Sequence, residues 1–244
     1  MNKTLISYRY HLTVVILLFH IYATGNDLLG EKSDSLKTQK ITQRNRLELD
    51  ISGGMFYIFG EPSPKLPDNA TEYIKKLKTG PYVISNLKIF YTNNLAAGLL
   101  YKYFTFNSGL DTTDMTVEGY PIVQIQNNVK CQFLGVLNTY RIENENWRYD
   151  VNLTPGFFMY KDEGTINHFP ALLKGNNWGV LVGNNVTRYF WNKKIALFFE
   201  FNAFWGFLSE IEYKLLIIHQ KYELEEIYDL SCIDMGIGIK INFF

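Results

Sequence analysis

Gly236-Ile237-Gly238-Ile239-Lys240-Ile241-Asn242-Phe243-Phe244 alternates bulky apolar residues with small or polar ones and finishes on an aromatic. Successive side chains of a β-strand point to opposite faces, so this stretch reads as a strand with one greasy face and one wet face. Seven earlier segments carry the same two-faced pattern. The connections between them run alternately long and short. An even set of two-faced strands, with tight turns at one end and long connections at the other, predicts an all-β fold. The form expected is a closed antiparallel eight-stranded up-and-down transmembrane β-barrel with short periplasmic turns and long extracellular loops.

The predicted strands cover residues 47–59, 80–91, 95–106, 131–142, 147–160, 178–190 and 195–207, with a closing strand that Cys232 begins. Thr92-Asn93-Asn94, residues 143–146 and the Asn192-Lys193 region supply the short turns. Asn tolerates the left-handed backbone that tight hairpins demand. Pro62, Pro64 and Pro67 block continuation of the ladder in the first long connection. The second runs to about Asn128 and has room for extra strand. The third covers 161–177. The fourth, about 208–230, leaves two readings open: Glu210-Ile211-Glu212-Tyr213 as more of the seventh strand, and the later Glu-rich piece as a short helix.

Composition alone resembles that of a soluble protein, with 20% charged residues. No run of about 18 apolar residues follows the N-terminal region, so no transmembrane helix is available. Aromatics are 16% of the chain, however, as expected where many short strands end in Tyr, Phe or Trp. Residues 1–25 read as a secretory signal peptide: Lys3 and Arg9, then an apolar core from Leu12 to Phe19, then the small-x-small site Ala23-Thr24-Gly25. Residues 26–45 are polar and aperiodic, a flexible periplasmic lead-in, and 46–244 form the barrel domain. Removing Lys3 and Arg9 leaves 22 positive against 24 negative side chains. That balance does not suit a nucleic-acid partner. Cys131 and Cys232 begin the fourth and eighth strands, on opposite sides of the ring, too far apart to bridge. Both are expected to stay thiols.

Alternation does not say which face points outward; the grading of the apolar face does. In the fifth strand Trp147 and Tyr149 stand at the turn end, Val151 and Leu153 in the middle, and Phe157 at the far end. Tyr91, Trp191 and Phe243 also fall at the turn end. Tyr57, Phe59, Tyr101, Tyr103, Trp178, Trp205 and Phe207 fall at the other. Two aromatic girdles around an aliphatic band is the pattern of a lipid-facing surface. The polar face then lines a narrow interior. Glu48, Asp50, Lys88, Lys102, Arg148, Asp150, Glu200, Asp234 and Lys240 fall on it and are expected to pair into a lumen charge network, since an unpaired buried ion costs several kcal/mol.

The segment Leu230-Ser231-Cys232-Ile233-Asp234-Met235-Gly236 with its aromatic terminus resembles the closing strand of small outer-membrane barrel proteins of Bacteroidota. Asn94-Leu95-Ala96-Ala97-Gly98-Leu99 and Gly156-Phe157-Phe158-Met159-Tyr160 resemble the same families, and the broader likeness is to the OmpX/OmpA-type eight-stranded class. Lys240 and Asn242 depart from the usual Arg or aromatic. The resemblance spans about 46–244 and specifies architecture rather than activity. It implies that Phe244 is a signal to the barrel-assembly machinery. From the strand count and loop asymmetry the protein is expected in the outer membrane of a Gram-negative bacterium, as a monomer in contact with lipid and lipopolysaccharide.

Chemistry is sparse. No His/Cys/Asp/Glu cluster has zinc spacing, and no phosphate loop or nucleophile elbow occurs, so no cofactor or metal is expected. Ser209 with His219, assisted by Glu210 or Glu212, is the one local nucleophile–base candidate. The leading expectation is a non-enzymatic outer-membrane barrel with a side-chain-filled lumen and surface loops for structural or interaction roles. The alternatives are a lipid A deacylase-like hydrolase, a narrow pore or ligand conduit, and a soluble secreted barrel with a ligand inside.

Overall fold

The computed structural model of the protein describes residues 46–59, 71–117, 120–143, 147–190, 194–215 and 218–243. Its account of side chains leaves out 46, 71, 72, 74, 112–123, 218, 219 and 225–227. The signal and lead-in segments, the three loop prolines, the 144–146 and Asn192-Lys193 turns, Trp191 and Phe244 lie outside the described residues.

Among the described residues nine antiparallel strands and one short helix follow in order: β1 (Arg46–Ile58), α1 (Thr71–Leu77), β2 (Thr79–Phe90), β3 (Leu95–Val117), β4 (Tyr120–Glu143), β5 (Trp147–Ile166), β6 (Phe169–Phe190), β7 (Ile195–Leu215), β8 (Ile218–Asp229) and β9 (Cys232–Phe243). Each of β1 to β7 pairs with the next, β7 pairs with β9, and β9 pairs with β1, so the hydrogen bonding runs in a ring of eight strands. The ninth, β8, lies outside that ring. It extends the far half of β7, from Phe207 to Leu215, whereas β9 takes the near half, Ile195 to Phe204.

Three of the four long connections expected from sequence are strands. β3 and β4 continue as one hairpin to Val117 and Tyr120. The supposed loop 161–177 is a β5–β6 hairpin closed by Asn167-His168. The Glu-rich piece is β8, so its helical reading is overturned, and Glu210 to Tyr213 do extend β7. The first connection carries α1. Left-handed backbone also falls elsewhere than expected. Among the described residues only Asn167 (φ 49°) and His168 (φ 70°) are non-glycines at positive φ, as a two-residue hairpin of this hand requires. The 92–94 turn is held by side chains instead. Thr92 Oγ1 accepts from the Leu95 amide (2.9 Å), and Asn94 Nδ2 donates to the Arg141 carbonyl (2.8 Å).

The alternation read from sequence becomes a division between inside and outside. In β2, Tyr82, Ile84, Asn86, Lys88 and Phe90 are buried, while Val83, Leu87 and Ile89 are exposed. In β9, Lys240 has no accessible surface and Ile237 keeps 73% of its own. Four inward glycines, Gly135, Gly156, Gly179 and Gly206, stand directly opposite one another across β4, β5, β6 and β7. The rings of Phe133, Phe158 and Phe204 fold over this bare strip. A methyl group at Gly156 would come within 2.6 Å of the Gly135 Cα and 2.8 Å of the Phe133 ring. Both cysteines are free and buried in the same apolar cluster.

Backbone hems in Gly156, so Gly156→Ala is expected to destabilise the fold by ~1–3 kcal/mol. The check is the urea concentration at which half the protein loses its folded band on an unboiled gel; an unchanged midpoint would contradict the packing described.

Candidate functional site

The ring's interior is the most chemically distinctive part of the molecule, and it is layered. At the short-turn end, seven buried charged groups from five strands meet. Arg148 on β5 is their centre. Its Nη2 donates to Glu48 Oε1 on β1 at 2.7 Å, and its Nε donates to Asp150 Oδ1 at 2.5 Å. The planar fork thus ties β1 to β5, strands that are not neighbours in the ring. Arg141 on β4 donates to Glu48 Oε2 at 2.8 Å and lays its guanidinium 3.4 Å from the centre of the Phe90 ring. Lys240 on β9 donates to Asp150 Oδ2 at 2.7 Å, and Lys88 on β2 makes an ion contact with Asp50 Oδ2 at 2.6 Å. Four bases face three acids. Glu143 at the rim, 3.6 Å from Arg141, makes the balance even.

Above this floor a second polar cluster forms around Asp234 and Glu200, which Tyr82 and Asn202 join. Lys102 donates to Asp234 Oδ2 at 2.5 Å, and Asn202 donates to the other oxygen at 2.6 Å. The Lys102 ammonium also lies 5.1–5.5 Å from the centres of the Tyr82, Phe104 and Phe204 rings. The Tyr82 hydroxyl crosses over Gly54 and Gly236 to donate to Glu200 at 2.8 Å. A methyl at Gly236 would lie 2.3 Å from that hydroxyl, so only glycine lets the ring pass.

The next layer is aromatic. Phe204 meets Phe104, Phe133 and Phe158 edge-on at 6.1, 5.2 and 5.8 Å, and Phe56 meets Phe104 and Phe106 at 5.1 and 5.9 Å. These rings come from β1, β3, β4, β5 and β7. Higher still, α1 lies against the inward side of the β3–β4 hairpin. Tyr73 packs on Leu110 and donates to Asn127 at 2.5 Å, while Ser108 donates to the Tyr73 carbonyl at 3.0 Å.

All nine charged residues assigned to the lumen from sequence are buried, but they do not form one network. Glu48, Asp50, Lys88, Arg148, Asp150 and Lys240 belong to the floor. Lys102, Asp234 and Glu200 belong to the second cluster, in which Tyr82 and Asn202 link the two acids. Arg141 was missed. The signal was there: counting in twos from Cys131 through Gly135 and Leu137 places Arg141 on the inward face of β4. Ser209 is exposed at the irregularity in β7. His219 lies opposite Lys214, five residues further along β7. That is roughly 16 Å of strand, so the backbone does not bring Ser209 and His219 together; the His219 side chain lies outside the described residues. Among the described residues no group of three His, Cys, Asp or Glu could hold a metal ion.

No family model matches the chain, and no curated protein matches it. Among solved structures, a major outer membrane protein from Thermus thermophilus is similar with a TM-score of 0.56 at 8% identity, over 82% of this chain and 100% of that one. The outer membrane protease OmpT from Escherichia coli follows at 0.48 and 10% identity, over 85% and 99% of the two chains. The outer membrane protein OprG from Pseudomonas aeruginosa stands at 0.48 and 12%, over 81% and 97%. At such identities the likeness is one of fold alone: an outer-membrane β-barrel fold, carried by the first of the three.

Removing Glu48 takes one of two shared carboxylates from Arg141, Arg148 and Lys88 in a buried site and leaves them Asp150 alone in common. Glu48→Gln is therefore expected to cost ~3–5 kcal/mol of folding stability. The urea midpoint of the folded band reads this, with exposed Lys76→Gln as the control that leaves it unchanged; equal midpoints would show that the floor does not hold the ring.

Proposed function

We propose that the chain is an integral outer-membrane protein of a Gram-negative cell envelope: a closed eight-stranded transmembrane barrel with a plugged lumen, without enzymatic activity, acting through its surface. The observation that carries this reading is the inversion of polarity. The outside is apolar and exposed, as at Ile51, Val83, Leu99, Val136, Leu197 and Ile239, while lysines, arginines and carboxylates are sealed within. Soluble monomers rarely leave an apolar surface of such extent bare.

The dimensions agree with a bilayer. On β5 the exposed aromatics Trp147 and Phe157 stand ten residues apart, roughly 34 Å of strand and about 26 Å of height at a barrel tilt of ~40°. That is close to the ~25 Å apolar band of outer-membrane barrels. Tyr91, Tyr149 and Phe243 mark the turn end, and Tyr57, Phe59, Tyr101 and Trp178 the other; Tyr103, Trp205 and Phe207 are half-buried there. The short turns then face the periplasm. The β3–β4, β5–β6 and β7–β8 hairpins stand outside, where they offer an interaction surface to lipopolysaccharide, matrix or a partner.

Two layers argue against a pore. The ionic floor joins opposite walls through Arg148 and Glu48, and the edge-on phenylalanines span the ring above it. In planar bilayers the purified protein is expected to give no steady current, and conduction to rise when Glu48→Ala and Arg148→Ala are combined with Phe204→Ala, which opens the aromatic layer as well. The same protein should shift on a gel between unboiled and boiled samples, and cells with or without it should show the same lipid A acyl pattern. A folded, soluble monomer in plain buffer would refute the membrane assignment; a steady wild-type current would refute the plug.

A further inference from the structure

The outward face of the sheet carries a feature that a plugged barrel does not need. Lys130 on β4, Lys161 on β5 and Lys174 on β6 are directly opposite one another in register, and Glu212 on β7 and Lys221 on β8 continue the row. Lys130 lies between inward Val129 and Cys131, and Lys161 between inward Tyr160 and Asp162, so the row projects away from the interior. Neighbouring strands are about 4.8 Å apart, and like charges directly opposite destabilise a sheet. Glu163 relieves part of this. It accepts from Lys130 at 2.6 Å and pairs with Lys161, and these two ammonium groups hold its carboxyl down at about 2. Glu163 therefore stays ionised at any ordinary pH, and the lysines keep that counter-charge. Lys221 is paired with Glu210. Among the described residues no carboxylate pairs with Lys174.

The row is one-sided, since the β3 residue opposite Lys130 is Thr105. It also lies at a defined height. Two residues down the strands the outward row is Gln132–Met159–Asn176, and four residues down it is Leu134–Phe157–Trp178. The lysines thus stand roughly 13 Å of strand above the aromatic row, about 10 Å of height after tilt. Beside them the β6–β7 pairing lapses between Lys174–Glu212 and Gly179–Gly206. Here lies a cleft of about 480 Å³ lined by Lys130, Lys161, Lys174 and Lys221 against the carboxylates of Glu210 and Glu212, four bases to two acids.

We propose that this row and cleft bind the phosphorylated saccharide of an outer-leaflet glycolipid. Lys161 and Lys174 take the phosphate, the amides of Gln132 and Asn176 face the sugar, and the acyl chains run down past Leu134, Phe157 and Trp178. The assignment rests on the reading that this end of the barrel faces outward in the outer membrane. It follows from charge and from height together: the bases outnumber the acids in the cleft, and a glycolipid seated in the girdle carries its phosphates just above it.

Native mass spectrometry of the detergent-released full chain tests it with three probes: bisphosphorylated lipid A, the same lipid with its phosphates removed, and inorganic phosphate. A one-to-one adduct with the bisphosphorylated lipid is expected, weaker by roughly tenfold or more for the phosphate-free lipid and for K161Q/K174Q. K75Q/K76Q, which alters exposed lysines on α1, should leave the adduct unchanged. Equal binding by K161Q/K174Q or by the phosphate-free lipid overturns the site, as does inorganic phosphate binding as well as the lipid. Gel mobility before and after boiling is read on the same samples. A protein that lacks the shift fails the barrel reading, whereas one that shows it while K161Q/K174Q binds like wild type fails this site alone.

Discussion

Arg148 holds carboxylates from two separate walls of the ring, and the rest of the structure depends on that contact. A charge taken out of water is costly unless its hydrogen-bonding capacity is met, and this site has no water-facing alternative. Glu48 and Asp150 meet it through the two sides of one guanidinium fork. Arg141 and Lys240 add contacts to those acids, while Lys88 and Asp50 meet as an ion pair without a hydrogen bond. Because the members come from β1, β2, β4, β5 and β9, none of these five strands can slip by a residue without carrying a charge to the apolar outside. The network therefore specifies register as well as adding stability.

The upper half of the interior meets the same demand with different chemistry. Aromatic rings must cross a space too narrow for large side chains on every strand. The glycine row across β4 to β7 removes the competition, and Phe133, Phe158 and Phe204 occupy what it leaves. Tyr82 uses the same device over Gly54 and Gly236 to reach Glu200. Charge below and rings above give a stiff ring. A stiff ring in turn can carry tall hairpins, and the lysine row and its cleft sit at their base, where the apolar wall gives way to polar rows.

Much of this was legible in the chain. The alternation in residues 147–160 or 236–243 places every residue on a face, since strand geometry leaves two choices and burial picks one. Legibility failed where the pattern itself changes. Beyond Tyr160 both faces are polar or mixed, as in Lys161-Asp162-Glu163-Gly164, so the β5–β6 hairpin reads as a loop although its backbone pairing continues to Ile166 and Phe169. The Asn-rich 92–94 segment suggested left-handed backbone. In the fold a threonine hydroxyl and an asparagine amide hold that turn, and the left-handed pair is Asn167-His168.

By itself the sequence determined the eight strands of the ring and which of their residues share a face, because those follow from a two-residue period along one chain; β8 and the far parts of β3 to β7, where that period fades, it left as connections. Only the tertiary structure decided which charges meet. Pairing depends on how far each strand is shifted against its neighbours and on which side chains span the ring, and neither quantity is local. So Arg141 joins Glu48, Lys102 leaves the floor for Asp234, and Ser209 and His219 lie far apart along the backbone. The row of Lys130, Lys161 and Lys174 has the same origin: residues 31 and 13 positions apart become neighbours through register alone.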